Sequence, residues 1–190
     1  MLTHYIEINL VPQLELREHE VANHVMQQLH RCFVNYHGEI GVSFPDCEKK
    51  YSAPFGKIRL FGKENSLSQL YSDLINVSDI TNYAIISNVM PVPTHDGYLI
   101  VNRVRHKGPS ALRRAEKRLK AQGKWSAEVE KNMRQKWDIA ALKGKPHFNL
   151  KSSSTGQDLT LWIKQKPCDK QVLGKFNSYG LSDEATVPNF

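Results

Sequence analysis

Residues 4–10 alternate between polar and apolar side chains (Tyr5, Ile6, Glu7, Ile8, Asn9, Leu10), a period of two that predicts a strand, and Pro12 ends it. Over residues 18–36 the period changes. At ~100° per residue Ala22, Met26, Leu29 and Phe33 fall within a narrow arc with Val25 beside them, which predicts a helix closed by Gly38. Residues 40–44 and 57–61 read as strands, the first stopped by Pro45 and Asp46. Residues 66–75 read as a second helix capped by Asn65 or Ser66, and residues 83–89 as a fourth strand that can run on to Val92. That order, β-α-β-β-α-β, is the ferredoxin-like unit. Unrelated proteins share it, so order alone does not define function. No string of stacked aromatics of the RNP1 type lies on these strands, which argues against an ordinary RNA-recognition motif.

Pro91, Pro93, Thr94, His95, Asp96 and Gly97 form a natural boundary. The expected organisation is therefore α+β, with a ferredoxin-like domain over residues 1–93 and a second α+β domain over residues 94–190. In the latter, residues 98–104 read as a strand, 109–122 and 126–141 as helices, and 147–151 and 159–164 as strands flanking the polar loop SSSTGQD. Ser126 is the expected N-cap of the second of these helices. Residues 176–181, with Gly180 inside, read as a last short strand.

The helix over residues 109–122 changes the picture most. Leu112, Ala115 and Leu119 make an apolar stripe, flanked by Arg114 and Arg118 on one side and by Arg113, Lys117 and Lys120 on the other. Pro109 suits its first turn and Gly123 its end. Like charges at i,i+4 repel by a few tenths of a kcal/mol per pair, so an outside anion is the natural compensation; an ordinary solvated face is the alternative. Charge is concentrated there. Residues 1–95 carry seven Lys/Arg against ten Asp/Glu, whereas residues 103–145 carry fourteen against four. Local concentration of this kind points to a nucleic-acid surface.

Cys32, Cys47 and Cys168 are isolated, with no zinc spacing, which fits a reducing cytoplasmic setting. Neither a signal peptide nor a membrane-spanning run is expected. No phosphate-binding loop, dinucleotide glycine fingerprint or HExxH occurs, so a metal-independent reaction is what remains for an enzyme. His30 lies at the edge of the first helix's apolar stripe, about 40° from Met26, half-shielded yet able to reach a groove. Imidazole suits general acid–base work at neutral pH, although a partly buried histidine with one hydrogen bond is the commoner case. Ser152, Ser153, Ser154 and Thr155 offer hydroxyls beside Gly156 and suit phosphate and sugar contacts; a serine-rich hairpin turn is the bland alternative.

Taken together, HYIEI, the pair Leu29-His30, IGVSFPD, MPVP, NRVR, LRR, SSSTGQ and YGLS, in this order along almost the whole chain, resemble the type I-F CRISPR endoribonuclease family. The resemblance implies a metal-independent enzyme without a cofactor that cuts precursor CRISPR RNA at the base of its repeat hairpin. It implies 2′-hydroxyl attack, giving a 2′,3′-cyclic phosphate and a 5′-hydroxyl. It further implies that the product stays bound and that the protein joins the other subunits of the type I-F surveillance complex.

By the same resemblance His30 is the general base, Ser152 positions the ribose, and Tyr179 supports the site by orienting His30. Ser154 and Thr155 hold RNA near the cut. Arg103 reads a guanine, and Arg105 meets a second base or a phosphate. Arg114, Lys117 and Arg118, with Arg113 and Lys120, contact phosphates. Two departures stand out. Ala115, Glu116 and Leu119 interrupt the family's basic run, and Leu159 stands where the family has a stacking aromatic, for which Phe148 or Trp162 are substitutes. A hairpin-binding assembly subunit without cleavage is the rival reading, and a DNA-binding module a more distant one.

Overall fold

The computed structural model describes residues 1–47, 55–104, 109–136, 145–152 and 156–190. Among these the chain is a mixed α+β protein with two antiparallel sheets and five α-helices. It divides into two compact units, residues 1–103 with 146–190, and residues 104–145.

In the larger unit, β1 (His4–Leu10) is the centre of the first sheet. It pairs antiparallel with β3 (Lys57–Gly62), Ile6 opposite Leu60, and with β4 (Ala84–Ile86), Asn9 opposite Ile85. With β2 (Gly41–Ser43) the strand order is β2-β3-β1-β4, and β5 (Met90–Pro91) adds to the start of β1. The period-two pattern sends Ile6, Ile8, Ile58 and Leu60 to one face, where all four are fully buried. The apolar stripes of α1 (Glu18–Phe33) and α2 (Glu64–Ile75) supply the rest of that core through Val25, Met26, Leu29, Leu67, Leu70 and Leu74. On the opposite face Glu7 accepts from Lys57 at 2.8 Å and from Arg59 at 2.9 Å. Burial alone would raise the Glu7 carboxyl, but these hydrogen bonds outweigh it and hold the group below the usual carboxylate range.

Several boundaries differ from the sequence expectation. The first helix is α-helical only to Phe33; Val34–Tyr36 is a 3-10 turn ending at His37 with φ 48°. The second begins at Glu64 with Lys63 as N-cap, because the Ser66 hydroxyl instead donates to Glu39 at 2.6 Å. The expected fourth strand stops at Ile86, since the Ser87 hydroxyl takes the Glu7 N–H at 2.8 Å and interrupts the ladder. A four-residue helix, α3 (Ser78–Thr81), lies between α2 and β4.

The second sheet runs β7-β8-β6-β9, with β6 (Gly97–Val104), β7 (His147–Lys151), β8 (Asp158–Cys168) and β9 (Val187–Asn189). Strand β8 is longer than its expected 159–164. Phe148, Leu150, Leu161 and Ile163 face the core. Helix α1 closes the free edge of β7: Asn23 accepts from the Asn149 N–H at 2.9 Å and Gln27 from the Lys151 N–H at 2.8 Å. Residues 176–181 do not form the expected strand. Their backbone bonds are shared among separate elements, Phe176 N–H to the Gly38 carbonyl at 3.1 Å and Val42 N–H to the Gly180 carbonyl at 2.9 Å, so no ladder forms.

The smaller unit holds α4 (Pro109–Ala121) and α5 (Ala127–Lys136). Leu112, Ala115 and Leu119 of α4 are half-buried, as their spacing predicts. Gly123, at φ +65°, ends the helix: its N–H bonds the Lys120 carbonyl at 3.1 Å and the Lys124 N–H bonds the Leu119 carbonyl at 2.9 Å. This is the paired closure that a left-handed residue after a helix permits. The Ser126 hydroxyl accepts from the Val129 N–H at 3.2 Å, the expected N-cap of α5. The expected continuation of α5 to residue 141 lies outside the described residues.

Candidate active site

The last turn of α1 presents His30, half-buried, to the segment 177–180. The Nδ1 atom of His30 lies 2.8 Å from the carbonyl oxygen of Ser178, 148 residues along the chain. A carbonyl can only accept, so Nδ1 carries the hydrogen, and in the neutral form of the ring the lone pair lies on Nε2. The Tyr179 ring stacks on the imidazole, with centroids 4.0 Å apart and planes 8° apart. One short segment therefore sets both the tautomer and the plane of His30.

That segment is itself constrained. The Gly180 N–H closes a turn onto the Asn177 carbonyl at 2.9 Å. The Asn177 side-chain oxygen accepts from the N–H groups of Tyr179 at 2.8 Å and Leu181 at 3.2 Å. This is the local backbone mimicry that asparagine performs in turns. Gly180 has φ +72°, and a Cβ there would lie 2.2 Å from Val42 Cγ2, so both conformation and space require glycine. Burial raises the Tyr179 phenol above its ordinary range, while the Arg103 charge pulls the other way. The phenol thus stays neutral at ordinary pH. Arg103, on β6, is half-buried, and its Nε is a buried donor with no partner among the described residues.

Ser152 directly follows β7. Its N–H bonds the Gln157 carbonyl at 2.9 Å and its carbonyl accepts from the Gly156 N–H at 2.8 Å. The Asn23–Asn149 and Gln27–Lys151 bonds advance together, four helical residues (~6 Å) matching two strand residues (~6.6 Å). Ser152 directly follows Lys151, the last residue tied to α1 in this register.

Leu159 stands opposite Leu150 and shares the face of buried Leu161 and Ile163. Neither aromatic suggested for its place can take it. Phe148 is fully buried against Phe55, with centroids 3.8 Å apart, and Trp162 alternates to the opposite face, against His147 at 4.3 Å.

Within the smaller unit Arg113, Arg114, Lys117, Arg118 and Lys120 are all exposed on α4. Lys120 bonds Glu116 one turn back at 2.7 Å and lies 5.7 Å from the Trp125 ring. Arg105, Ser154 and Thr155 lie outside the described residues. Sequence reasoning missed Asn177 and the Ser178 carbonyl. The available signal was Asn at the first and Gly at the fourth position of the string NSYG, a turn signature.

Residues 5–190 match the model of the family described as CRISPR-associated protein (Cas_Csy4). The chain belongs to that family, the type I-F endoribonuclease family its motifs resemble. It is 33% identical over 193 residues to the CRISPR-associated endonuclease Cas6/Csy4 of Escherichia coli (strain UTI89 / UPEC), covering 100% of both chains. It is 32% identical over 194 residues to the protein of the same name from Pseudomonas aeruginosa (strain UCBPP-PA14), again covering 100% of both. A solved RAMP protein binding different RNA substrates aligns with 98% of this chain and 100% of its own at 9% identity and TM-score 0.37, too slight a likeness to argue from.

Proposed function

We propose that this protein is a metal-independent endoribonuclease that cuts precursor CRISPR RNA at the base of the repeat stem-loop and remains on the hairpin as a subunit of the type I-F surveillance complex. The observation that carries the reading is the geometry of His30: Nδ1 donates to the Ser178 carbonyl at 2.8 Å, so in the neutral ring Nε2 is the acceptor. That is the form a general base needs.

In the proposed reaction Nε2 of His30 takes the proton of the ribose 2′-hydroxyl upstream of the cut. The 2′-oxygen bonds to the adjacent phosphorus, and the bond from phosphorus to the 5′-oxygen breaks. The products are a 2′,3′-cyclic phosphate and a 5′-hydroxyl, with the proton passing to the leaving oxygen. Ser152 orients the ribose for in-line attack, a contribution of geometry. Tyr179 supplies a ring face on which a protonated imidazole can lie. Arg103 contacts a guanine edge, and its unpartnered Nε is a donor that RNA can satisfy. Arg105 meets a second base or a phosphate, and Ser154 and Thr155 hold RNA beside the cut.

Arg113, Arg114, Lys117, Arg118 and Lys120 contact phosphates along a groove opened near the stem end, since an intact A-form major groove is too narrow to read. We assign a ferredoxin-like domain to residues 1–93, on the strand order β2-β3-β1-β4 with α1 and α2 on one face, and the RNA-binding part to residues 94–190. The setting we propose is cytoplasmic.

The test is cleavage of the protein's own repeat hairpin in EDTA by the wild type and by His30→Ala, with binding scored in parallel. General acid–base catalysis typically contributes ~10²–10⁴-fold, and a loss of that size with binding retained is expected. Binding without cleavage by both proteins would establish the assembly-only reading instead.

A further inference from the structure

Trp162 is left without a role by the reading above, because it faces away from Leu159. Its surroundings define a surface. Along the outward face of the β7–β8 hairpin, residues of β7 and β8 alternate outward, and Lys151, Lys164 and Lys166 are exposed. His147 and Trp162, directly opposite in the ladder, lie ring against ring with centroids 4.3 Å apart and planes at 42°. One carboxylate, Asp158, shares this face among its described positions, opposite Lys151. The inward residues Phe148, Leu150, Leu161 and Ile163 are buried, so the hairpin is anchored and its outer face is a fixed platform.

The direction of the platform matters. Its Lys151–Asp158 end adjoins Ser152, where the ribose at the cut would be held. From there β8 leads outward, Trp162 ~13 Å and Lys166 ~26 Å from Asp158 at the usual strand rise. Trp162, Lys164 and Lys166 follow one another at ~6.6 Å, every second residue. An aromatic platform followed by evenly spaced cations is the recognition chemistry of single-stranded nucleic acid, with bases stacking and phosphates neutralised. Along a duplex only the terminal pair leaves a base face uncovered, whereas a single strand offers one at each nucleotide.

We propose that this face is a track for the single-stranded RNA that leaves the base of the hairpin, with a base on Trp162 and successive phosphates at Lys164 and Lys166. The inference rests on the hairpin-cleaving reading and extends it to RNA outside the stem.

The test compares affinities of the full chain for three hairpins made uncleavable by a 2′-deoxyribose at the cut: bare, with a 5′ oligouridine tail, and with a 3′ oligouridine tail. The wild type is expected to bind one tailed form about tenfold more tightly than the bare form, which identifies the strand on the track. In Lys164→Ala/Lys166→Ala and in Trp162→Ala that ratio falls to about one, while Trp162→Phe, which keeps a stacking ring and the fold, retains most of it. Equal wild-type affinity for bare and tailed hairpins, or a ratio unmoved by the variants, overturns the track. Should the bare hairpin fail to bind at all, the hairpin reading fails, and free oligouridine, bound by the wild type and lost in the lysine variant, still decides the track by itself.

Discussion

The His30 pocket and the basic helix α4 are built in opposite ways. Around His30 the contacts that place the ring join residues far apart in the chain: a ring on α1, a carbonyl 148 residues later, a turn fastened to Val42 of β2. In α4 the defining features are local: a stripe at helical spacing, a glycine closure, and a Lys120–Glu116 pair at i,i+4. The pocket presents one atom in one orientation, whereas the helix presents a field from five exposed cations. Substitutions in the pocket should therefore act on rate and on stability, and substitutions in the helix on affinity and its salt dependence.

The largest effect should come from Gly180, the residue that welds the turn to the sheet. Gly180→Ala would force a Cβ to 2.2 Å from Val42 Cγ2 at φ +72°. Overpacking plus left-handed strain should cost about 3 kcal/mol, lowering the melting temperature by roughly 6–12 °C for a chain of this size. Thermal melting checks the stability and single-turnover cleavage the rate, which should fall further than hairpin affinity. An unchanged melting temperature would mean that Val42 does not pin the turn.

Asn177 sharpens the comparison, because it touches neither His30 nor RNA in the proposed reaction and acts only by holding the segment. Asn177→Leu leaves the N–H groups of Tyr179 and Leu181 without their acceptor, while Asn177→Asp keeps one. We expect the leucine variant to cleave roughly 10–100-fold more slowly at saturating enzyme, with hairpin affinity within about threefold, since small misplacements of a catalytic group are costly in rate. The aspartate variant should recover most of that rate. If cleavage and binding fell together in the leucine variant, or if aspartate failed to restore the rate, Asn177 would be structural only.

The same contrast explains what could be read from the sequence. Strand β1, helix α1 and helix α4 with its Gly123 closure follow from periodicity and local chemistry, and were legible. His30 was legible as a half-shielded residue at the edge of a stripe, but the Ser178 carbonyl that sets its tautomer was not, because no local pattern encodes a contact across 148 residues. The segment 176–181 reads as a strand by composition, and its backbone is instead shared out among Gly38, Val42 and the turn. Phe148 and Trp162 looked equivalent as aromatics; one residue's offset in alternation from Leu159 across the ladder separates core from surface.

The smallest effects lie in α4, and they differ in kind from those in the pocket. Arg118→Ala should weaken hairpin binding by about threefold to tenfold at low salt and reduce the slope of log affinity against log salt by roughly 0.7–0.9, one phosphate contact's share. Glu116→Gln removes the partner of Lys120, an exposed i,i+4 pair worth about 0.3–0.5 kcal/mol, so the melting temperature should move by about 1–2 °C at most. The same change releases Lys120 toward RNA, and the salt slope should steepen. Titrations at several salt concentrations check both variants. A slope untouched by Arg118→Ala would take that residue off the phosphate path, and a slope untouched by Glu116→Gln would leave Lys120 a structural cation paired within its own helix.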